Sequence, residues 1–291
     1  EITGERNLKR LMVKADDFGL HSEVNKAVIR GYQKGCIRST SLMPTGAAVE
    51  EASQLARENP WLGIGIHLTL VAENPLLPRD KVSTLLAANG KFHADHMVFI
   101  KNYLLGSIDK GQLYAECEAQ IAKVMSLGLN ITHLDSHQHL HTLPGITEIC
   151  LELMKKYGIR RMRYPGEAFL FEGGYPSGMF RRVAKCGLTA CAMLARRQAK
   201  DYHIAMPDSF FGMLAGGHME EEYFMNILEA LPEGTSEIMV HPGADAGVLG
   251  SIYDWQYHWE DELASVTSKQ VMAYIREQNI RLISFKELTD E

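Results

Sequence analysis

Short apolar runs and longer stretches with helical spacing alternate along the whole chain. Leu11 to Ala15 is a compact apolar run with strand character, and His21 to Lys34 follows with Val24, Ala27, Val28 and Gly31 recurring on one helical face. Gly35 ends that helix. Ser39 to Pro44 reads as a second strand, Ala47 to Arg57 as a helix, and Gly63 to Leu70 as a third strand with small residues that allow close backbone approach. Residues 71 to 96, with Pro75, Pro78 and Gly90, form a long excursion of the kind that often carries function. A helix over Ile108 to Leu127 stops at Gly128, and a strand at Ile131 to Leu134 follows. Pro144 to Tyr157 is helical, and Ile159 to Arg163 reads as a fifth strand. After an irregular stretch from Tyr164 to Ser177, Met179 to Lys200 is a helix with a break expected at Gly187. His203 to Met206, Glu237 to Val240 and Ile280 to Ser284 complete the strands. Glu220 to Leu231 and Val266 to Glu277 complete the helices.

Repeated strand–helix units imply seven or eight parallel strands with right-handed crossovers. Polar clusters directly follow three strands, at Asp16-Asp17, at residues 135–141 and at His241, while His67 lies near the end of another. Chemistry gathered at the C-terminal ends of strands favours a barrel. An open doubly wound sheet would normally carry a glycine-rich loop after its first strand, and Phe18-Gly19-Leu20-His21 stands there instead. The expected fold is therefore α/β: a distorted (β/α) barrel, TIM-barrel-like, in a single catalytic domain over residues 1–291.

Composition narrows the classes. Of the 291 residues 46% are hydrophobic and 23% charged, as in an ordinary globular protein, and the net charge of −6 argues against nucleic acid and anionic membranes as partners. Five cysteines, odd in number and without CxxC spacing, point to buried reduced thiols. The polar start lacks the apolar core of a signal peptide, so a cytoplasmic protein is expected.

Two segments carry the chemistry. Asp16 and Asp17 end the first apolar run, and adjacent strand residues point to opposite sides, so one carboxylate can bind a metal while the other moves a proton. The alternative is an aspartate that caps the next helix. His133, His137, His139 and His141 crowd into nine residues with Asp135. If this segment is extended, His137, His139 and His141 share a face; if helical, His137 and His141 do. Imidazoles with carboxylates suit zinc, manganese, iron or cobalt, and magnesium less well. Taken alone, His67 is more often a core residue, His241 before Pro242-Gly243 serves equally as turn residue or acid/base, and Arg163 could hold a substrate oxygen or make a surface pair. Trp61, Tyr164, Phe211 and Trp255 could each stack on a sugar ring, though packing is the commoner role.

Ala15-Asp16-Asp17-Phe18-Gly19, Gly65-Ile66-His67-Leu68, Thr132 to His141 and His241-Pro242-Gly243 occur in this order. Together they resemble the YdjC-like carbohydrate deacetylases, which include chitooligosaccharide deacetylases, over about Leu11 to Ser284. Arg163 to Glu167 and Pro207 to Gly212 also resemble family positions. The resemblance implies a metal-dependent hydrolase that removes N-acetyl groups from sugars, giving acetate and an amino sugar. It implies one divalent ion (magnesium or zinc) on Asp17, His67 and His137, Asp16 as general base and His241 as partner acid. Arg163, His139 and His141 would be substrate-binding or pocket residues, and a homodimer would be the assembly. The alternatives are a metal-dependent hydrolase of another acylated or phosphorylated substrate, and a non-catalytic sugar-binding barrel. A glycosidase is a further alternative, for which adjacent aspartates are poorly placed to flank a glycosidic bond at a separation of roughly 5–9.5 Å, so that a second acid such as Asp135 would have to serve.

Overall fold

A computed structural model describes residues 8–289. Seven strands form one parallel sheet: β1 (Lys9–Phe18), β2 (Ile37–Leu42), β3 (Gly63–Leu68), β4 (Ile131–Ser136), β5 (Ser209–Phe211), β6 (Gly234–Val240) and β7 (Arg281–Leu282). Their order is β4-β3-β2-β1-β6-β5, with β7 joined to the start of β1. Single parallel bridges, Leu134 to Met162 and Arg161 to Ala205, continue the curl beyond β4 toward the chain that leads into β5. The result is a distorted (β/α) barrel. Around it lie α1 (Ser22–Lys34), α2 (Val49–Glu58), α3 (His96–Leu104), α4 (Lys110–Ser126), α5 (Ile146–Tyr157), α6 (Met179–Asp201), α7 (Glu221–Ala230), α8 (Ala246–Ile252), α9 (Trp259–Val266) and α10 (Lys269–Glu277). No helix among the described residues is long and apolar enough to cross a membrane.

Most expected elements occur within a few residues of their anticipated bounds, and the exceptions are instructive. Ile159–Arg163 and His203–Met206 shrink to isolated bridges, whereas β5 forms where no strand was expected. Short buried runs are decided by which neighbour offers a ladder, and that information is not local. Helix α6 runs unbroken through Gly187, whose missing side chain faces open space. A lone glycine costs a helix only about 1 kcal/mol. The excursion over residues 71–96 contains two short 3-10 turns and an antiparallel bridge between Leu86 and Phe92. It is pinned by α4, where the buried Glu116 carboxylate accepts from the backbone N–H groups of Leu76 and Leu77 at 2.9 and 3.0 Å.

Strand alternation separates two environments. Leu11, Val13 and Ala15 of β1, Ile64 and Ile66 of β3, and Ile238 and Val240 of β6 belong to the apolar layer that includes the helices' buried faces. The intervening residues, Lys14, Asp16, His67, His133, Asp135 and Glu237, are also buried, with relative exposures between 0% and 2%. The lumen is thus polar toward the C-terminal ends of the strands. At its other end Met12, Phe285 and Leu288 form a small apolar plug, and the His133 ring stacks on Phe285 at 3.8 Å between centroids.

Gly65 shows how tightly that lumen is filled. A Cβ there would lie 2.4 Å from His133 Nε2, and the ring is held by its stack on Phe285 and by Thr132 Oγ1, 2.8 Å from Nδ1. Gly65→Ala is expected to lower stability by about 1–3 kcal/mol, read as a lower denaturant midpoint at unchanged m-value; an unchanged midpoint would show that the ring moves freely.

Candidate active site

The two aspartates sit on a bulge. Ala15 pairs with Thr40 and Phe18 with Leu42, so β1 spends one residue more than β2 across Asp16-Asp17. Asp17 adopts φ 62°, an uncommon conformation for a residue with a side chain. Bulges re-aim side chains, and here Asp16 meets Lys14 and Arg163 while Asp17 meets His67 and His137. Neither carboxylate caps α1; that task falls to His21, whose Nδ1 accepts from the Glu23 N–H at 3.1 Å.

Asp17, His67 and His137 form a buried triad. Asp17 Oδ1 lies 3.2 Å from His67 Nε2 and 3.1 Å from His137 Nδ1, and their ligand atoms all lie within 4.8 Å of one another. Asp17 Oδ2 and His67 Nε2 have no hydrogen-bond partner among the described residues. Buried polar atoms are rarely left so. Two imidazoles and one carboxylate with ligand atoms this close, and with two buried atoms left unpartnered, fit a divalent metal with open positions. The other ring nitrogen of His67 contacts Asp135 Oδ1 and Ser41 Oγ, each at 3.0 Å, which orients the imidazole as outer carboxylates do for metal-bound histidines. Asp16, His67 and Asp135 also cluster. However, Lys14 and Arg163 already hold both of those carboxylates, and their charges would repel an ion.

Arg163 is fully buried. Its Nη1 and Nη2 donate to Asp16 at 2.6 and 2.7 Å in a bidentate pair, its Nε donates to Glu237 at 2.7 Å, and Nη1 lies 3.0 Å from Asp135. Lys14 bridges Asp16 at 2.7 Å and Asp135 at 2.5 Å. Burial alone would raise the Asp16 pKa, but Arg163 and Lys14 outweigh it and hold the carboxylate well below its ordinary range. Among the described residues Asp16, Asp17, Asp135 and Glu237 face two fixed cations, Lys14 and Arg163, so the lumen keeps a negative excess. The excess is felt at His67: burial depresses its pKa, yet Asp135, Asp17 and Asp16 together raise it to about 9. The site favours a positive charge at that ring, whether proton or metal.

His241 follows β6, with Nε2 4.0 Å from Asp16 Oδ2. Its backbone N–H donates to the buried Glu262 carboxylate, which also accepts from Met219 N–H at 3.1 Å, and Nδ1 stands 3.9 Å from Glu262 without a hydrogen-bond partner among the described residues. Burial lowers the His241 pKa to about 4 against the pull of Asp16 and Asp17, and burial raises Glu262 to about 7.

The histidine-rich segment is neither extended nor regularly helical. Residues His137–Thr142 form a 3-10 turn broken by left-handed conformations at Gln138 and His139, so its histidines diverge. His137 turns to Asp17. His139 packs edge-on against Phe210 at 5.6 Å, with Nδ1 unpartnered among the described residues. His141 is fully buried, with Nδ1 2.7 Å from Ser136 Oγ and Nε2 3.3 Å from the Arg163 carbonyl. The structure therefore gathers Asp16, Asp17, His67, His137 and His241 in one place, commits every nitrogen of Arg163 to the protein, and turns His141 inward. Sequence reasoning passed over Lys14, Ser41, Glu237 and Glu262. Lys14 and Glu237 carried a readable signal, a charge at an alternating position inside an apolar strand, where only a buried partner is affordable.

The YdjC-like protein family matches residues 10–277. This chain belongs to that family. Relatives described as carbohydrate deacetylases include one from Thermoanaerobacter pseudethanolicus, 33% identical with 97% of this chain and 100% of that protein covered. Another, from Mus musculus, is 30% identical over 96% of this chain and 94% of its own length. Among solved structures, a protein from Enterococcus faecalis V583 described as a cellobiose-phosphate cleavage protein superposes with TM-score 0.75 at 25% identity, covering 96% of this chain and 98% of that one.

Buried histidines set the acid limit of this YdjC-like fold. Burial, the leading cause in each case, holds His133 and His139 well below the ordinary value of 6.5 and brings His141 and His241 to about 4. The unfolded chain takes up those protons near pH 6.5 while the folded chain refuses them. The stabilisation is therefore complete above pH 6.5 and is lost as pH falls toward 4, at about 1.4 kcal/mol per unit for each group. Glu262, raised to about 7, gains stability over much of the same range and offsets one histidine, so the thermal midpoint is expected to fall between pH 6.5 and 4 by what the remaining rings lose; a midpoint flat over that range would mean that these rings are open to water.

Proposed function

We propose that this chain is a metal-dependent hydrolase that removes N-acetyl groups from acetylated carbohydrates, chitooligosaccharides among them, releasing acetate and an amino sugar. The observation that carries it is the buried Asp17–His67–His137 triad, with two orphaned polar atoms, beside Asp16 and His241 at the C-terminal ends of the strands in a YdjC-like barrel. Deacetylase relatives of nearly full length supply the substrate class.

Asp17, His67 and His137 would hold the ion. Zinc, manganese, iron or cobalt suits that donor set better than magnesium. Such an ion, when bound, polarises the acetyl carbonyl and acidifies water. Asp16 accepts the proton of the attacking water; its bidentate pair with Arg163 keeps it ionised and fixed in direction. Burial holds His241 neutral in the resting site, with Nε2 4.0 Å from Asp16 Oδ2. The imidazole takes up the proton that Asp16 has accepted and passes it to the nitrogen as the amide C–N bond breaks, without which the amine leaves poorly, and both side chains end as they began. Arg163 acts through Asp16, not on the sugar. Of the two cluster histidines with an unpartnered nitrogen, His133 is stacked on Phe285 at the far end of the lumen, which leaves His139 to meet substrate.

The test is acetate release from di-N-acetylchitobiose by metal-stripped protein, with zinc, manganese, cobalt or magnesium restored in turn. Ion-dependent release is expected, and Asp16→Asn should cut kcat by roughly 100-fold or more while binding the ion as before. Full activity in that variant would remove Asp16 as the base. Silence toward every acetylated sugar with every ion would favour another acylated or phosphorylated substrate.

A further inference from the structure

Between α8 and α9 runs a strap, Tyr253-Asp254-Trp255-Gln256-Tyr257, whose aromatic residues are half-buried and whose polar residues are exposed. Gln256 takes φ 56°, uncommon for a residue with a side chain, and its amide donates to Asp254 at 2.6 Å. The alternation sets three aromatic rings in a row. Trp255 stands 5.0 Å from Tyr253 and 5.5 Å from Tyr257, centroid to centroid. The row borders the catalytic groups at two points: Trp255 lies 5.2 Å from the His137 ring and Tyr257 4.9 Å from the His241 ring. The buried Trp259 backs it, 6.0 Å from Trp255. Gly217, at φ +83°, makes room for Tyr257, because a Cβ there would fall 2.3 Å from that ring.

The other aromatic candidates lie elsewhere. Trp61 precedes β3 and lines a hollow of about 680 Å³ with Arg38 and Lys286, near the N-terminal ends of β2 and β3. Tyr164 is buried under the Arg196 guanidinium, and Phe211 is buried against Phe171. Trp255 combines contact with a candidate ligand, partial exposure and a firm backing. An indole face is apolar and electron-rich, which suits the C–H face of a pyranose ring. Hydroxyls on the ring's edge need polar partners, and the half-buried Glu73 carboxylate lies within electrostatic reach of His137, Asp17 and Tyr253.

Building on the deacetylase proposal, we propose that Trp255, flanked by Tyr253 and Tyr257, is the specificity-determining platform of this site: its indole face stacks on a pyranose ring of an acetylated oligosaccharide and holds it beside Asp17, His67 and His137.

Two variants separate stacking from mere packing. Trp255→Leu keeps apolar bulk without a flat face, and Trp255→Phe keeps a smaller face. With di-N-acetylchitobiose and a restored ion, the leucine variant should raise KM roughly tenfold with kcat within about threefold, and the phenylalanine variant should recover most of the loss. Chitobiose, which has no acetyl group to lose, should quench tryptophan fluorescence in a Trp61→Phe background, and Trp255→Leu should abolish the quench. An active enzyme whose KM is unmoved in the leucine variant, or which loses only kcat, would overturn the platform and leave the deacetylase proposal standing. A protein that releases no acetate but shows the Trp255-dependent quench would keep the platform and remove the deacetylase proposal. No quench in the Trp61→Phe background itself would overturn the platform.

Discussion

Lys14 and Arg163 share Asp16 and Asp135 in the interior of the barrel, and the geometry of the site follows from that exchange. Arg163 grips both oxygens of Asp16, Lys14 spans Asp16 and Asp135, and Asp135 in turn meets Nδ1 of His67. Four strands and the segment at residue 163 are tied through these contacts and the Arg163–Glu237 pair. Asp16 is thereby aimed and kept ionised, and His67 is presented with its Nε2 toward Asp17.

Such a network is not an efficient way to stabilise a core. Desolvating paired ions costs nearly what their attraction returns, and apolar replacements of similar volume are often as stable, whereas removing one partner costs about 3–5 kcal/mol. The two cations are also outnumbered by Asp16, Asp17, Asp135 and Glu237. A lumen built this way leaves negative charge beside orphaned ligand atoms. That is poor construction for a structural core and sound construction for a cation site.

Backbone irregularity supplies what charge cannot. On a regular strand Asp16 and Asp17 would point to opposite faces. The extra residue of the β1 bulge, with Asp17 at φ 62°, puts one carboxylate in the charge network and the other against His67 and His137. The left-handed residues Gln138 and His139 do the same for the histidine segment: they separate His137 from His141, so one imidazole reaches Asp17 and the other is spent on Ser136 and the Arg163 carbonyl.

The alternation of apolar runs with helical spacing was enough to read a parallel α/β barrel, because periodicity records which face each element buries. The order of the Asp-Asp, His67, histidine-rich and His241 motifs was enough to read which residues gather, because they follow strands whose C-terminal ends share one mouth. Tertiary structure alone decided the rest. It paired Lys14 and Glu237 with distant residues, turned Arg163 from a candidate substrate contact into a fully committed interior cation, and drew β5 into the sheet while the strands expected at Ile159 and His203 shrank to bridges. Each of these depends on partners 27 to 147 positions away or on a few backbone angles at a bulge, and neither leaves a periodic trace in the residues themselves.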